Sequence, residues 1–406
     1  MFIRVYPWLL LVFAAVSVWA GGPPKITAQS AILVDSETDQ VLYEKDADVR
    51  RAPASTTKMM TAILLVENCR LDDMVTAGKG VETIPSSSLH LKPGVKLTVR
   101  DLLHAILLRS ANDACVVAAE HVAGSVPAFV TMMNKRAAEM GATGTNFVNP
   151  NGLNKPDHYS TAHDLAIIGR RAIHYPIIND IVRMRKATIS RSLNREDVLL
   201  RNRSHFLRRY AYADGIKTGY TREAGQCLVA SATRDGWRLI AVVLKSDDNA
   251  GDATALMDYG YANFERRLLA GKGSVVEEAR IRGGNERTVP VAPATDVYAV
   301  VPKSSSCRAE IEVETRKLCA PVRRGREVGE ASAILNGRVV QKTPLLAAGR
   351  VDRSYVAVVW PWFRNAALLL AVGIVVGKRY GAATAKGSRR RGRRFQTTVR
   401  TAYRRW

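Results

Sequence analysis

Three short strings, Ser55-Thr56-Thr57-Lys58, Ser110-Ala111-Asn112 and Lys217-Thr218-Gly219, stand in that order along the 406 residues. Together they restrict the fold more than composition does. Each is weak alone, since a Ser-x-x-Lys arises roughly once by chance in a chain of this size. As a set they require two serine hydroxyls, two amines and an amide to be gathered from three distant segments. Ser55 and Lys58 are three apart, so at a helix start they share a face and the ammonium can lie beside the hydroxyl.

The chemistry open to such a cluster is nucleophilic. A serine hydroxyl is a poor nucleophile until a neighbour accepts its proton. Lys58 can be that base if it is neutral part of the time, and burial or a second nearby cation lowers a lysine's pKa. Lys217 is the candidate cation, and it also offers a positive field for a substrate carboxylate. Ser110 is placed to bridge the two lysines and hand a proton to a leaving amine. Asn112 supplies an amide for a substrate backbone. Gly219 lets a substrate strand approach the sheet edge closely. An oxyanion hole needs two backbone donors, for which Ser55 and Tyr220 are the candidates.

The segments around these residues resemble the low-molecular-mass penicillin-binding proteins that are D-alanyl-D-alanine carboxypeptidases, peptidase family S11. The resemblance covers roughly Ala28 to Ala348. It rests on Ala52-Pro53-Ala54-Ser55-Thr56-Thr57-Lys58-Met59-Met60-Thr61, on Leu108-Arg109-Ser110-Ala111-Asn112-Asp113-Ala114 and on Asp214-Gly215-Ile216-Lys217-Thr218-Gly219-Tyr220-Thr221. Ser86-Ser87-Ser88-Leu89, Asn149-Pro150-Asn151-Gly152-Leu153 and Asp157-His158-Tyr159-Ser160-Thr161-Ala162 add to it. The resemblance implies a two-lobed α+β domain of the β-lactamase/transpeptidase type, then a small all-β domain and a C-terminal membrane anchor.

It also implies the reaction. Ser55 attacks the D-Ala-D-Ala end of a peptidoglycan pentapeptide stem, D-alanine leaves, and water releases the tetrapeptide, in the service of cell wall biogenesis and cell shape. On this reading Ser55, Lys58 and Ser110 are catalytic, and Asn112, Lys217, Thr218, Gly219 and Tyr220 bind substrate. β-Lactams are expected as covalent inhibitors, with no metal and no cofactor. Tyr220 stands where the family carries His; because this position donates its backbone N–H, its side chain is expected to tune specificity. The sequence does not identify what grips the terminal carboxylate beyond Thr218. Glu120, Glu139, Glu196 and Glu223 are the glutamates between Ser110 and the strand after Lys217, and none begins a Glu-x-x-x-Asn string. Penicillin is therefore expected to acylate Ser55 and to leave slowly. The rival expectation is a membrane-tethered, wall-binding scaffold without turnover.

The rest of the chain sets location and boundaries. Arg4, the apolar run Trp8–Val18 and the small residues ending at Ala20 read as a signal peptide over 1–20. The catalytic domain is then expected outside the cell membrane. A formal net charge of +23 suggests nucleic acid, but eleven of those charges follow the last apolar stretch with no acid among them. A basic tail over 378–406 beside an apolar segment over 356–377 fits anionic lipid better, so no nucleic acid partner is expected. Spanning is favoured over lying in the interface, with Trp360 and Trp362 as interfacial anchors and Arg364 snorkelling outward.

Domain boundaries are expected at 26–269 for the catalytic domain and 274–352 for the β-rich one. Ala31–Val34 and Gln40–Glu44 read as a hairpin, and Thr161 with Asp164 as a capping box. Asp252–Leu269 reads as one amphipathic helix. The basic stretch Arg183–Arg209 reads as a solvated face. The five cysteines give no disulfide framework and no metal site; Cys307 and Cys319 share the second domain and can either bridge or stay as free buried thiols. His158 and His163 read as structural.

Overall fold

In the computed structural model, which describes residues 22–190, 198–304 and 307–395, one antiparallel sheet organises the first unit. Its strands are β1 (Ser30–Asp35), β2 (Val41–Lys45), β3 (Ala213–Thr221), β4 (Gly225–Arg234) and β5 (Trp237–Ser246), in spatial order β2-β1-β5-β4-β3. The expected signal peptide lies outside the described residues. The two hairpins join strands adjacent in sequence: β1 with β2 around the Ser36–Asp39 turn, and β4 with β5 around Asp235-Gly236. Both turns carry a positive φ, at Asp39 and at Asp235 with Gly236, as tight reversals require.

The run of β5 is apolar without alternation because the sheet is covered on both faces. Leu239, Ala241 and Val243 pack with Leu33, Ala230 and the helix α4 (Asn249–Asn263). Ile240, Val242 and Leu244 face the opposite way, toward Met59, Ile63, Leu165 and Ile168. That second face supports the helical lobe: α1 (Lys58–Asn68), α2 (Asn112–Ala123) and α3 (Ala162–His174), with Val99–His104 and Val126–Glu139 between them. Thr161 caps α3, its hydroxyl accepting from the Asp164 N–H at 3.0 Å.

The expected helix over Asp252–Leu269 is corrected. It stops at Asn263, and Phe264–Ala270 is a strand paired with Val297–Pro302. Phe264 packs in the core of the first unit, and this tertiary contact overrides the helical spacing.

The second unit comprises Ala270–Val297, Ile311–Ser332 and Lys342–Trp406; Tyr298–Glu310 and Ala333–Gln341 cluster with the first. Its strands include Glu277–Arg282, Thr288–Pro293 and the first six residues of Glu327–Leu335, the last not anticipated from the sequence. Its small core holds Ile281, Val289, Val291, Val328 and Leu345. No disulfide joins any of the five cysteines, Cys307 and Cys319 included. The described residues end in a helix, Tyr355–Phe395, that runs on past Gly377 into the basic tail. Within it Val359–Arg379 is 21 residues long with a mean hydropathy of 1.6 and nothing packed over it.

One buried carboxylate ties the lobe together beside the site. Asp113, fully buried at the start of α2, accepts from the Ser88 hydroxyl at 2.6 Å and from the backbone N–H groups of Leu89, Leu91 and Ala114. Asp113→Asn puts donors where acceptors are required, so it should lower unfolding free energy by about 2–4 kcal/mol. Urea denaturation followed by far-UV circular dichroism measures it.

Candidate active site

Ser55 lies in a single 3₁₀ turn, Ala54–Thr57, that runs directly into α1 at Lys58. In a 3₁₀ turn residues i and i+3 eclipse, so the serine and lysine side chains are forced together. The Lys58 ammonium nitrogen lies 2.9 Å from Ser55 Oγ, 2.8 Å from Asn112 Oδ1 and 2.5 Å from the Asn151 carbonyl oxygen. Lys58 is fully buried.

The two carbonyl acceptors decide what the amine can do. A tetrahedral nitrogen has three positions besides its carbon stem. Two N–H bonds go to Asn112 and Asn151, so the third position faces Ser55 whether it holds a proton or a lone pair. Protonated, it donates to the hydroxyl. Neutral, it accepts the hydroxyl's proton, as a general base must.

Burial first, and the Arg203 charge against it, pull the Lys58 pKa down to about 8. The sequence reading gave Lys217 the part of the neighbouring cation. Arg203 is a further cation at that position, and Lys217 interacts with Lys58: burial first, and then the Lys58 charge, push Lys217 well below the ordinary lysine value. Lys217 is 3% exposed and donates from Nζ to the Thr218 carbonyl at 2.9 Å.

Ser110 is set by an interruption in its helix. Val99–His104 gives way to a π-helical turn, Ala105–Arg109, and Ser110 follows with φ of 62°. Single π turns and left-handed non-glycine residues concentrate at functional sites. Its hydroxyl reaches the cleft but makes no hydrogen bond among the described residues, so the expected bridge between the lysines is not formed. Asn112, expected to hold substrate, is committed to the protein: Oδ1 accepts from Lys58 and Nδ2 donates to the Pro85 carbonyl at 2.9 Å. One Nδ2 hydrogen remains for a ligand.

β3 is the edge strand of the sheet, so Lys217, Thr218, Gly219 and Tyr220 present a free backbone edge for strand addition. A Cβ on Gly219 would lie 2.9 Å from the Ser55 nitrogen and 3.0 Å from Ala54 Cβ. Only glycine lets the edge strand approach the nucleophile's own N–H this closely. Gly152, with φ of +81°, meets the same turn from the other side, where a Cβ would fall 1.9 Å from the Ala54 carbonyl oxygen. Tyr220 is 70% exposed, its side chain at the cleft wall.

The cleft has a volume of about 1120 Å³ and gathers Ser55, Ser110, Asn112, Thr218, Gly219 and Tyr220. Two contributors escaped sequence reasoning. The Asn151 carbonyl is main chain, and no side-chain motif announces it. Arg201, Arg203 and Arg208 line the cleft, so the stretch read as a solvated face is corrected in part. Among the described residues no group of three or more His, Cys, Asp or Glu is placed to hold a metal.

His158 is buried and structural, as expected. Its Nδ1 accepts from the Val148 N–H at 2.9 Å, which leaves Nε2–H to donate to Thr57 Oγ1 at 2.9 Å. Burial, then the Lys58 charge, push its pKa down to about 4. The unfolded chain therefore takes up this proton first. Its contribution to stability is complete above pH 6.5 and is lost as pH falls toward 4, on the order of 3 kcal/mol in all. The thermal midpoint should fall through that window, and His158→Gln should flatten the fall. Calorimetry from pH 7 to 4 measures both.

Comparison with known proteins gives consistent results. The D-alanyl-D-alanine carboxypeptidase family model (peptidase S11) matches residues 18–248, and that of the penicillin-binding protein 5 C-terminal domain matches 264–353. D-alanyl-D-alanine carboxypeptidase DacF of Bacillus subtilis is 31% identical over 331 residues, 79% of this chain and 85% of its own. DacA of Escherichia coli is 34% identical over 344 residues, 80% of this chain and 84% of its own. The crystal structure of penicillin binding protein 5 from Haemophilus influenzae covers 82% of this chain and all of its own, at 33% identity and a TM-score of 0.68. A Streptococcus pneumoniae peptidoglycan synthesis regulatory factor, PBP3, covers 81% and all of its own, at 27% and 0.71.

Proposed function

This chain belongs to the S11 D-alanyl-D-alanine carboxypeptidases, and we propose that it removes the terminal D-alanine from peptidoglycan pentapeptide stems through an acyl-enzyme on Ser55. The observation that carries the proposal is the Lys58 nitrogen, held by two carbonyl oxygens with its third position on Ser55 Oγ.

The substrate backbone pairs with β3 at Thr218 and Gly219, and its scissile carbonyl lies over Ser55. Lys58 takes the hydroxyl proton as Oγ bonds to the carbonyl carbon. The Ser55 and Tyr220 N–H groups receive the oxyanion. The proton taken by Lys58 passes through the Ser110 hydroxyl, which has no partner among the described residues, to the departing amine of D-alanine, and Lys58 is neutral again. Water then takes the place of that amine, Lys58 accepts its proton and returns it to Ser55 Oγ, and the tetrapeptide is released. Lys217 and Arg203 supply the positive field for the terminal carboxylate. β-Lactams acylate the same hydroxyl. The scaffold alternative is not favoured, because every group the chemistry needs is present and converges.

We place the catalytic unit outside the bacterial cell membrane, exported by the N-terminal apolar run and tethered by the C-terminal helix. The uncovered apolar surface of Val359–Arg379, with Trp360 and Trp362 exposed near its start, supports the tether.

Wild-type protein should release D-alanine from a pentapeptide ending in D-Ala-D-Ala and be labelled covalently by a fluorescent penicillin. Ser55→Ala should lose the label and lower release by at least about 10⁴-fold; release by that variant at the normal rate would rule the mechanism out. The pH profile tests the base. Neutral Lys58 is the active form and its pKa is about 8, so the second-order rate of penicillin acylation should climb with pH and level off near that value. A rate unchanged from pH 6 to 9 would exclude Lys58 as the base.

A further inference from the structure

The cleft carries more positive charge than its chemistry uses. Arg109, Lys155, Arg201, Arg203 and Arg208 all line it, against one carboxylate, Glu223. Arg203 is accounted for, since its charge reaches both Lys58 and Lys217. Arg201 and Arg208 are not. Among the described residues neither forms an ion pair, and Glu223 pairs with neither of them. The neighbouring Arg209 has Asp248 at 3.9 Å, so an acid was within reach of this segment and Arg208 does not use it.

These two arginines sit on a stiff frame. Val198–Arg201 pairs with Lys186–Ile189, and buried Leu200 faces inward, which turns Arg201 to the open side. Asn202 is locked by donating from Nδ2 to the Val182 and Met184 carbonyls and by accepting at Oδ1 from the Ser204 N–H. Ser204 Oγ in turn accepts from the Leu207 N–H, and Phe206 and Leu207 are buried. Arg208 Nη1 donates to the Asn202 carbonyl at 3.1 Å, and the side chain lines the cleft with its other donors uncommitted among the described residues. One guanidinium anchored at Asn202 and a second carried on a paired strand at the same cleft suit a carboxylate, which guanidinium groups can grip in bidentate fashion.

We propose that Arg201 and Arg208 form a subsite for a second carboxylate of the stem peptide, one carried on a residue upstream of the scissile bond. This rests on the carboxypeptidase reading and adds to it a substrate preference: stems whose diamino acid bears a free carboxylate are favoured over stems with lysine or an amidated residue at that position. The subsite is separate from the terminal carboxylate, which meets Lys217 and Arg203. Its contribution is electrostatic at a partly open rim, so it weakens as salt rises.

The test uses the full-length protein and its Arg201→Gln/Arg208→Gln variant. Two pentapeptides ending in D-Ala-D-Ala are compared, one with diaminopimelate and one with lysine as third residue. For wild type kcat/KM should be about tenfold higher on the diaminopimelate peptide, mostly through KM, and the preference should shrink from 50 to 500 mM salt. The double variant should lose the preference by slowing only on the diaminopimelate peptide. Its rate of acylation by penicillin, whose single carboxylate lies beside the reactive ring, should stay within about twofold of wild type. Equal kcat/KM of wild type on the two peptides would overturn the subsite. So would a double variant slowed equally on both peptides and on penicillin, since that would assign the arginines to the terminal carboxylate. If wild type were labelled by penicillin yet released D-alanine from neither peptide, the carboxypeptidase reading itself would fail, and the subsite with it.

Discussion

The site depends on one amine being denied any choice of orientation. Lys58 is buried, and the Asn112 side-chain oxygen and the Asn151 main-chain oxygen claim two of its three free positions. What remains faces Ser55. Much of the helical lobe exists to hold those two oxygens. Asn112 is fixed because α2 starts where the π turn ends and its Nδ2 is tied to Pro85. Asn151 is fixed because Asn149 Oδ1 accepts from the Gly152 N–H at 2.7 Å and Thr61 donates to the Pro150 carbonyl. Burial that lowers the Lys58 pKa and contacts that aim its lone pair arise from the same packing.

The second constraint is closeness of backbone to backbone. Ser55 sits in a turn pressed from one side by Gly219 of β3 and from the other by Gly152. Neither tolerates a methyl group without displacement, and Gly152 also needs its positive φ. Lobe and sheet meet here, so the nucleophile belongs to both. The remaining faces of the sheet can be repacked against α4 with less effect on that junction, because residues alternate across β5.

Much of this was legible in the sequence, for a physical reason. Side-chain chemistry at fixed spacing survives as a pattern: Ser55 with Lys58, Ser110 with Asn112, and Lys217 to Gly219. Local signals with a mechanism were legible too, such as the Thr161 cap and the turn at Asp235-Gly236. Three kinds of information were not. Asn151 acts through its carbonyl, which every residue possesses. Arg201 and Arg208 look like ordinary surface arginines until the pairing of Val198–Arg201 and the helical turn Phe206–Arg209 bring them to one cleft. Phe264–Ala270 keeps a helical spacing but joins Val297–Pro302, some thirty residues ahead, and no short window contains that pairing.

An unpaired strand edge invites any extended peptide, including the same edge of another molecule. Here the invitation is qualified by charge. The edge at Thr218 to Tyr220 opens into a groove rimmed with arginine and lysine, and two such grooves brought face to face repel. An acidic guest is drawn in while a twin is turned away, so this sheet can stay open to its ligand without zipping into fibres.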